Sequence, residues 1–269
     1  MAYVPRSLLF TPGSRPDRFA KAGATAAEGL ILDLEDAVAE ADKDIARANV
    51  AAFLADRQGV AQQVTIRINP LSRPSGLRDL AMLATASAGP EYILLPKAET
   101  PEQILLMAQV LDDAGSAARI GALVESARGV AGAAGLAQAH ERLAFLMFGA
   151  ADYAANLGQL VGTFRPDHAR AVIVNAAACG GVVAIDSPFF AIDCPDELEA
   201  DCRAGKALGF HGKAAIHPSQ IDPINHGYSP SYEERAQALR ILEAAPDGVG
   251  VLDGKMVDIA MVRWAQRLA

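Results

Sequence analysis

A closed eight-stranded parallel β/α barrel, the (β/α)₈ or TIM-barrel class, is the fold this sequence predicts, and three observations predict it. Eight short β-rich runs alternate with helical stretches from one end of the chain to the other. Several of the runs are continuously apolar, such as LLF, LIL, ILL and FLMF, as strands covered on both faces of a parallel sheet must be. The length of 269 residues matches one barrel domain and suffices to bury a substantial core. An open doubly wound sheet would show the same alternation, but no GxGxxG follows the first run and the count of eight favours closure.

The strands are expected at Ser7–Thr11, Gly29–Leu34, Gln63–Ile68, Tyr92–Pro96, Arg119–Val124, Leu143–Phe148, Val182–Ile185 and Lys213–Ile216. Amphipathic segments lie between them. Asp42–Gln58 places Ile45, Val50, Phe53 and Leu54 on one side. Pro101–Ala114 follows Thr100, an N-cap and first-position pair. Pro195–Leu208 opens with PDELE, acids in the first turn where the helix dipole favours them. Pro230–Ala245 follows Ser229 in the same way. Residues 1–247 are expected to form the barrel and 248–269 a tail in the same domain. In the tail, Gly248, Gly250 and Gly254 suggest a hinge before a short helix holding the only Trp. Such a tail could cap the barrel bottom or serve as a lid.

Composition excludes several function classes. Apolar residues make up 51% and charged residues 21% of the chain, ordinary for a globular protein. A formal charge of −8 argues against a general nucleic-acid binder, which usually carries a basic face. An anionic ligand would need a local basic cluster. The run Leu8–Phe10 is very short and follows Pro5 and Arg6, unlike a signal peptide. No apolar stretch is long enough to cross a membrane. Cys179, Cys194 and Cys202 are odd in number and form no CxxC pair. They favour the cytoplasm over a disulfide framework or a zinc cage.

In barrels of this class chemistry sits at the carboxyl ends of the strands. Every predicted strand here ends near an ionisable group. Glu35 and Asp36 follow the second strand, Arg67 and Asn69 end the third, and Lys97 and Glu99 follow the fourth. Glu125 follows the fifth, Asp152 the sixth, Asp186 ends the seventh and His217 follows the eighth. Carboxylates with two cations and no clustered His or Cys suit Mg²⁺ or Mn²⁺ with an anionic substrate better than zinc. After the first strand, Arg15, Arg18 and Lys21 are spaced three apart, as on one helix face. Gly13 and Ser14 precede them at what would be the anion-favouring helix start. The cluster reads either as a phosphate site or as a solvated basic face.

RSLLFTPGSRPDRFAKA, LILDLEDAV, IRINP, YILLPKAE, ALVESARGV, MFGAADYAANLG, AIDSPF and GFHGKAAIHPSQI resemble, in order and over nearly the whole chain, the citrate lyase β-subunit-like branch of the HpcH/HpaI aldolase family. The resemblance implies a homotrimer (or hexamer) of barrels binding Mg²⁺ and a coenzyme A thioester. Glu125 and Asp152 would be the metal ligands, and Arg67 would hold the substrate carbonyl or carboxylate. Glu35 and Asp36 would orient metal-bound water or Arg67. Arg15, Arg18, Lys21 and Lys97 would face the CoA ester. In GKMVD, Asp258 would be the acid that a C-terminal lid supplies to a neighbouring subunit. Ala260, soon after it, departs from the family pattern. The implied chemistry is carbon–carbon cleavage or formation in a malyl-CoA- or citramalyl-CoA-type ester. Hydrolysis of a CoA thioester on the same site and a β-subunit role inside a citrate lyase complex are the alternatives. A non-catalytic CoA-binding protein and an aldolase acting on free pyruvate fit the intact acid set and the basic first loop less well.

Overall fold

All eight apolar runs form strands, and together they close. The computed structural model describes residues 3–57 and 60–268. The barrel strands are β1 (Ser7–Pro12), β2 (Gly29–Asp33), β3 (Gln63–Arg67), β4 (Tyr92–Leu95), β5 (Arg119–Val124), β6 (Leu143–Phe148), β7 (Val183–Asp186) and β8 (Gly212–Ala215). Neighbours pair in parallel, and β1 pairs with β8, Leu8 opposite Ala214, to complete a closed barrel. Their ends differ from the expected ones by a residue or so, the usual uncertainty of a boundary.

Helices α1 (Phe19–Gly23), α2 (Lys43–Ala55), α3 (Pro74–Ala84), α4 (Pro101–Asp113), α5 (Ala127–Ala137), α6 (Ala150–Asn156), α7 (Asp167–Gly180), α8 (Pro195–Leu208) and α9 (Ile221–Tyr228) lie between and after the strands. The caps follow local chemistry: Thr100 and Gln103 make a reciprocal capping box on α4, and the Ser126 side chain accepts from the Gly129 amide at the start of α5. Helix α2 begins one residue after Asp42; the expected end at Gln58 lies outside the described residues. Its buried stripe is Ala46, Val50 and Leu54, an i+4 row, whereas Ile45 is 58% exposed. Position 45 stands about 100° round the helix from that row, so assigning Ile45 to the core face was an error.

Two apolar layers result. The barrel interior holds Leu8, Ile31, Tyr92, Leu94, Leu123, Phe145, Met147, Ile185 and Ala214, and a larger cluster fills the space between strands and helices. Gly121 is required in the inner layer, because a Cβ there would lie 2.3 Å from the Phe145 ring. Among the described residues no helix is long and apolar enough to cross a membrane. The three cysteines are free.

The chain divides into compact units at Tyr228/Ser229, so the expected boundary at 247/248 falls within the second. That unit contains α10 (Tyr232–Ala244), β9 (Gly250–Leu252), β10 (Lys255–Val257) and α11 (Ile259–Gln266). Helix α10 belongs to it because Ala238, Ile241 and Ala245 pack with Val257, Val262 and Ala265. The α10 cap is Ser231, boxed with Glu234, and not Ser229. Two of the three glycines have local structural roles. Asp253 and Gly254, with φ of 51° and 72°, form the tight turn of an antiparallel β9–β10 hairpin, the turn that Asp-Gly favours. Gly250 is needed because a Cβ would lie 1.9 Å from the Ala244 carbonyl oxygen.

Candidate active site

At the carboxyl ends of β2–β6 the structure brings six of the expected residues together: Glu35, Asp36, Arg67, Lys97, Glu125 and Asp152. Four of them, Asp36, Arg67, Glu125 and Asp152, line a cavity of about 330 Å³ together with Asp33, with apolar walls from Phe10, Leu123, Met147 and Phe190.

Arg67 is the best-held member, through a residue that reading the sequence missed. Asp33, the last residue of β2, accepts from Arg67 Nε at 2.7 Å and from Nη2 at 2.6 Å. The same carboxylate accepts from the Glu35 and Ala37 amides, so it fixes both Arg67 and the loop carrying Glu35 and Asp36. The signal lay in LDLED: in a strand of period two, Asp33 shares its face with Ile31, in the barrel interior. Arg67 Nη1 lies 3.0 Å from Glu35 Oε2, close enough for an ion pair but without hydrogen-bond geometry. The guanidinium also stacks 5.0 Å from the Phe10 ring centroid, a cation–π contact. Burial opposes the charge of Arg67, but Asp33, Glu35 and Glu125 outweigh it and hold its pKa above the ordinary value.

Buried groups brace this frame. Lys43 donates its three ammonium hydrogens to the carbonyls of Leu34, Glu35 and Val38 at 2.9, 3.0 and 3.3 Å. Asn69 donates to Leu34 O and to Asp79, which also takes Arg47.

Glu125 is buried, and burial first, then the charges of Glu35 and Asp152, push its carboxyl up to about 8 against the opposing Arg67 and Lys97. Burial likewise raises Glu35, with Arg67 and Lys97 pulling the other way. Gly149 leaves the space Glu125 needs: a Cβ there would lie 2.5 Å from Glu125 Cβ and 2.7 Å from Oε2. Lys97 donates its amide to Glu125 Oε1 at 2.8 Å and its ammonium to Glu35 Oε1 at 2.6 Å. Burial opposes the charge on Lys97, but the Glu35 bond and the charges of Glu35, Glu125 and Asp36 raise its pKa.

The donor set fits a hard divalent cation. A cation beside Glu125 would offset both its burial and its carboxylate neighbours. Among the described residues no three His, Cys, Asp or Glu side chains gather as a metal cage. Mg²⁺ is usually bound by one or two protein carboxylates, with water and substrate oxygens completing the shell.

Other expected residues stand apart. Asp186 turns outward to Lys213 and Arg170, at 2.8 and 2.5 Å. His217 caps the turn at Ser219, and Glu99 accepts from the Ser126 hydroxyl. Arg15, Arg18 and Lys21 do not share one helix. Arg15 precedes a 3₁₀ turn at Pro16–Arg18 and pairs with Asp17, and Lys21 lies on the five-residue α1. The Gly13 amide is taken by Asp33 O. Pro16 starts the chain turning as a 3₁₀ segment, so the threefold spacing does not describe an α-helical face. In the second unit, Asp258 caps α11, accepting from the Ala260 and Met261 amides at 3.0 and 3.1 Å. The Ala260 amide is one of the two that Asp258 holds, so this cap needs a residue with a backbone N–H at position 260.

A family model described as HpcH/HpaI aldolase/citrate lyase matches residues 6–218. The chain is 33% identical to a (3S)-malyl-CoA thioesterase of Cereibacter sphaeroides, over 100% of this chain and 95% of that protein. It is 32% identical to an L-malyl-CoA/β-methylmalyl-CoA lyase of the same organism, over 97% and 92% of the two chains. The crystal structure of protein CitE from Mycobacterium tuberculosis in complex with magnesium, acetoacetate and coenzyme A is similar at a TM-score of 0.82 and 36% identity, covering 99% of this chain and 97% of that one.

Proposed function

The chain belongs to the HpcH/HpaI aldolase/citrate lyase family, and from that premise we propose that it is a Mg²⁺-dependent carbon–carbon lyase. Its substrate is a 3-hydroxyacyl-CoA thioester of the malyl-CoA or citramalyl-CoA type. The observation that carries the reading is Glu125 and Asp152 lining one cavity with an Arg67 held by Asp33. Glu125 and Asp152 would hold the metal, which when bound supplies Lewis-acid polarisation of substrate oxygens.

The remaining roles fall to the chain's own side chains. Cleavage breaks the bond between the carbinol carbon and the thioester α-carbon. The hydroxyl gives its proton to water, the carbinol becomes a carbonyl, and the bonding pair passes into the thioester enolate. Asp33 occupies two of the five guanidinium N–H groups of Arg67. Others remain to stabilise charge developing on the thioester oxygen, a contribution that needs a donor fixed in advance. Glu35 and Asp36 keep Arg67 and Lys97 in place. Asp258, supplied from a neighbouring subunit of a homotrimer, returns a proton to the α-carbon. Arg15, Arg18, Lys21 and Lys97 offer positive charge to the CoA ester, and the protein works in the cytoplasm.

The test is a panel of malyl-CoA, citramalyl-CoA and the corresponding free acids, given to the purified protein alone with Mg²⁺ or with EDTA. Mg²⁺-dependent formation of acetyl-CoA and a 2-oxoacid is expected. The thioesterase relative makes hydrolysis the competing outcome. Release of free CoA thiol without acetyl-CoA would replace the lyase reading by hydrolysis, and no turnover of any CoA ester by the isolated chain would refute both.

A further inference from the structure

Among the described residues Lys97 is the non-glycine residue of the barrel mouth with a positive φ. Its φ of +50° lies in the left-handed region, which residues with a Cβ rarely adopt. Such a conformation persists only where its surroundings enforce it. Here two acids from different strand ends do so, Glu125 holding the amide and Glu35 the ammonium. The ammonium also stands 3.9 Å from Asp36 Oδ2 and 3.9 Å from Asp152 Oδ1. Its side chain is 41% exposed, so solvent screens it only in part. Arg67, the other cation of the mouth, gives two N–H groups to Asp33 and lies 3.0 Å from Glu35 Oε2.

We propose that the Lys97 ammonium is a built-in competitor of the divalent cation, a fixed positive charge among Glu35, Asp36 and Asp152 against which the metal must bind. The inference rests on the reading of Glu125 and Asp152 as metal ligands. Like charges a few ångström apart in a half-buried site repel much more strongly than in water, and the backbone and the Glu35 hydrogen bond keep Lys97 from diffusing away as a bound ion would. An anionic substrate entering the same cavity adds the negative charge that offsets Lys97. By linkage, metal and substrate then bind better together than apart. Lys97 is thereby a positioning residue that weakens metal binding to the protein alone.

Mn²⁺ binding to the purified protein, followed by electron paramagnetic resonance with Mg²⁺ as competitor, tests this without turnover. Wild type is expected to bind Mn²⁺ at a site that Glu125→Gln removes. If wild type binds none, or Glu125→Gln keeps it, the ligand reading fails and the proposal falls with it. Lys97→Met keeps the backbone amide and removes the charge, and its Kd for Mn²⁺ should fall by roughly tenfold or more. Lys97→Arg should stay near wild type. An unchanged or higher Kd in Lys97→Met, with thermal unfolding and circular dichroism preserved, overturns the proposal while leaving the ligand reading intact. Lys97→Gln repeats the test if the Met variant does not fold; loss of the fold in both makes Lys97 structural and also overturns it.

Discussion

Asp33 and Asp186 are both buried aspartates at the last position of a barrel strand, yet they build opposite things. On β2, Ile31 is in the barrel interior and Leu30 and Leu32 are in the outer layer. Asp33 therefore continues the inward row and meets Arg67 at the cavity. On β7, Ile185 is the inward residue and Ala184 the outward one. Asp186 therefore points out, where Lys213 and Arg170 bind both it and Asp201. That outer network is balanced, two acids against two bases. The mouth is not: Asp33, Glu35, Asp36, Glu125 and Asp152 face Arg67 and Lys97. A balanced network carries no surplus charge to attract a cation. An inward network with surplus negative charge and an open cavity does, and one residue of strand parity separates the two.

Breaking the two networks should therefore have different consequences. The largest effect is expected from Arg67→Met, which leaves Asp33 buried without its cation and Glu35 with Lys97 alone. Removing one partner of a buried pair costs about 3–5 kcal/mol, and losing a fixed donor lowers kcat by roughly 10²–10³. Urea unfolding and steady-state kinetics together check both. Lys213→Met should cost a similar 3–5 kcal/mol or so, while the folded protein keeps near wild-type kcat and metal affinity. A large kcat loss there, at a temperature where the variant is folded, would show that the outer network reaches the site. Smaller still is Gly149→Ala, whose methyl would press on Glu125. About 1–3 kcal/mol of destabilisation is expected, together with weaker Mn²⁺ binding, which Lys213→Met should not show. Unchanged Mn²⁺ affinity in Gly149→Ala would mean that the position of Glu125 does not matter to the metal.

What the sequence made legible follows from the same parity. Continuous apolar runs mark parallel strands whichever face they show, so β1–β8 could be read to within a residue or so. Composition at a strand end does not say which way the last side chain points. Glu125 and Asp186 therefore looked alike, and Asp33, hidden as the last letter of the β2 run, was passed over although its i−2 neighbour Ile31 gave its direction. The basic residues Arg15, Arg18 and Lys21 misled because a threefold spacing is also that of a 3₁₀ turn, which Pro16 begins here. In the tail, Asp253–Gly254 is a hairpin signal legible in the sequence.

Asp258 sharpens the comparison at its smallest scale, because it is a carboxylate with a structural task and, in the proposed function, a chemical one. Both amides it accepts bind Oδ1, and Oδ2 takes neither. Asn and Asp are about equally good N-caps, whereas Ala in that position costs about 1 kcal/mol. Asp258→Asn should therefore leave the unfolding transition almost unmoved, and Asp258→Ala should lower it slightly. If Asp258 carries the proton to and from the α-carbon, Asp258→Asn lowers kcat by roughly 10²–10⁴. Exchange of the acetyl-CoA methyl protons with deuterated water, followed by NMR, should slow in parallel, with Mn²⁺ binding unchanged. Wild-type exchange and turnover in Asp258→Asn would leave Asp258 the same kind of residue as Asp186, an acid fully used by the fold that carries it.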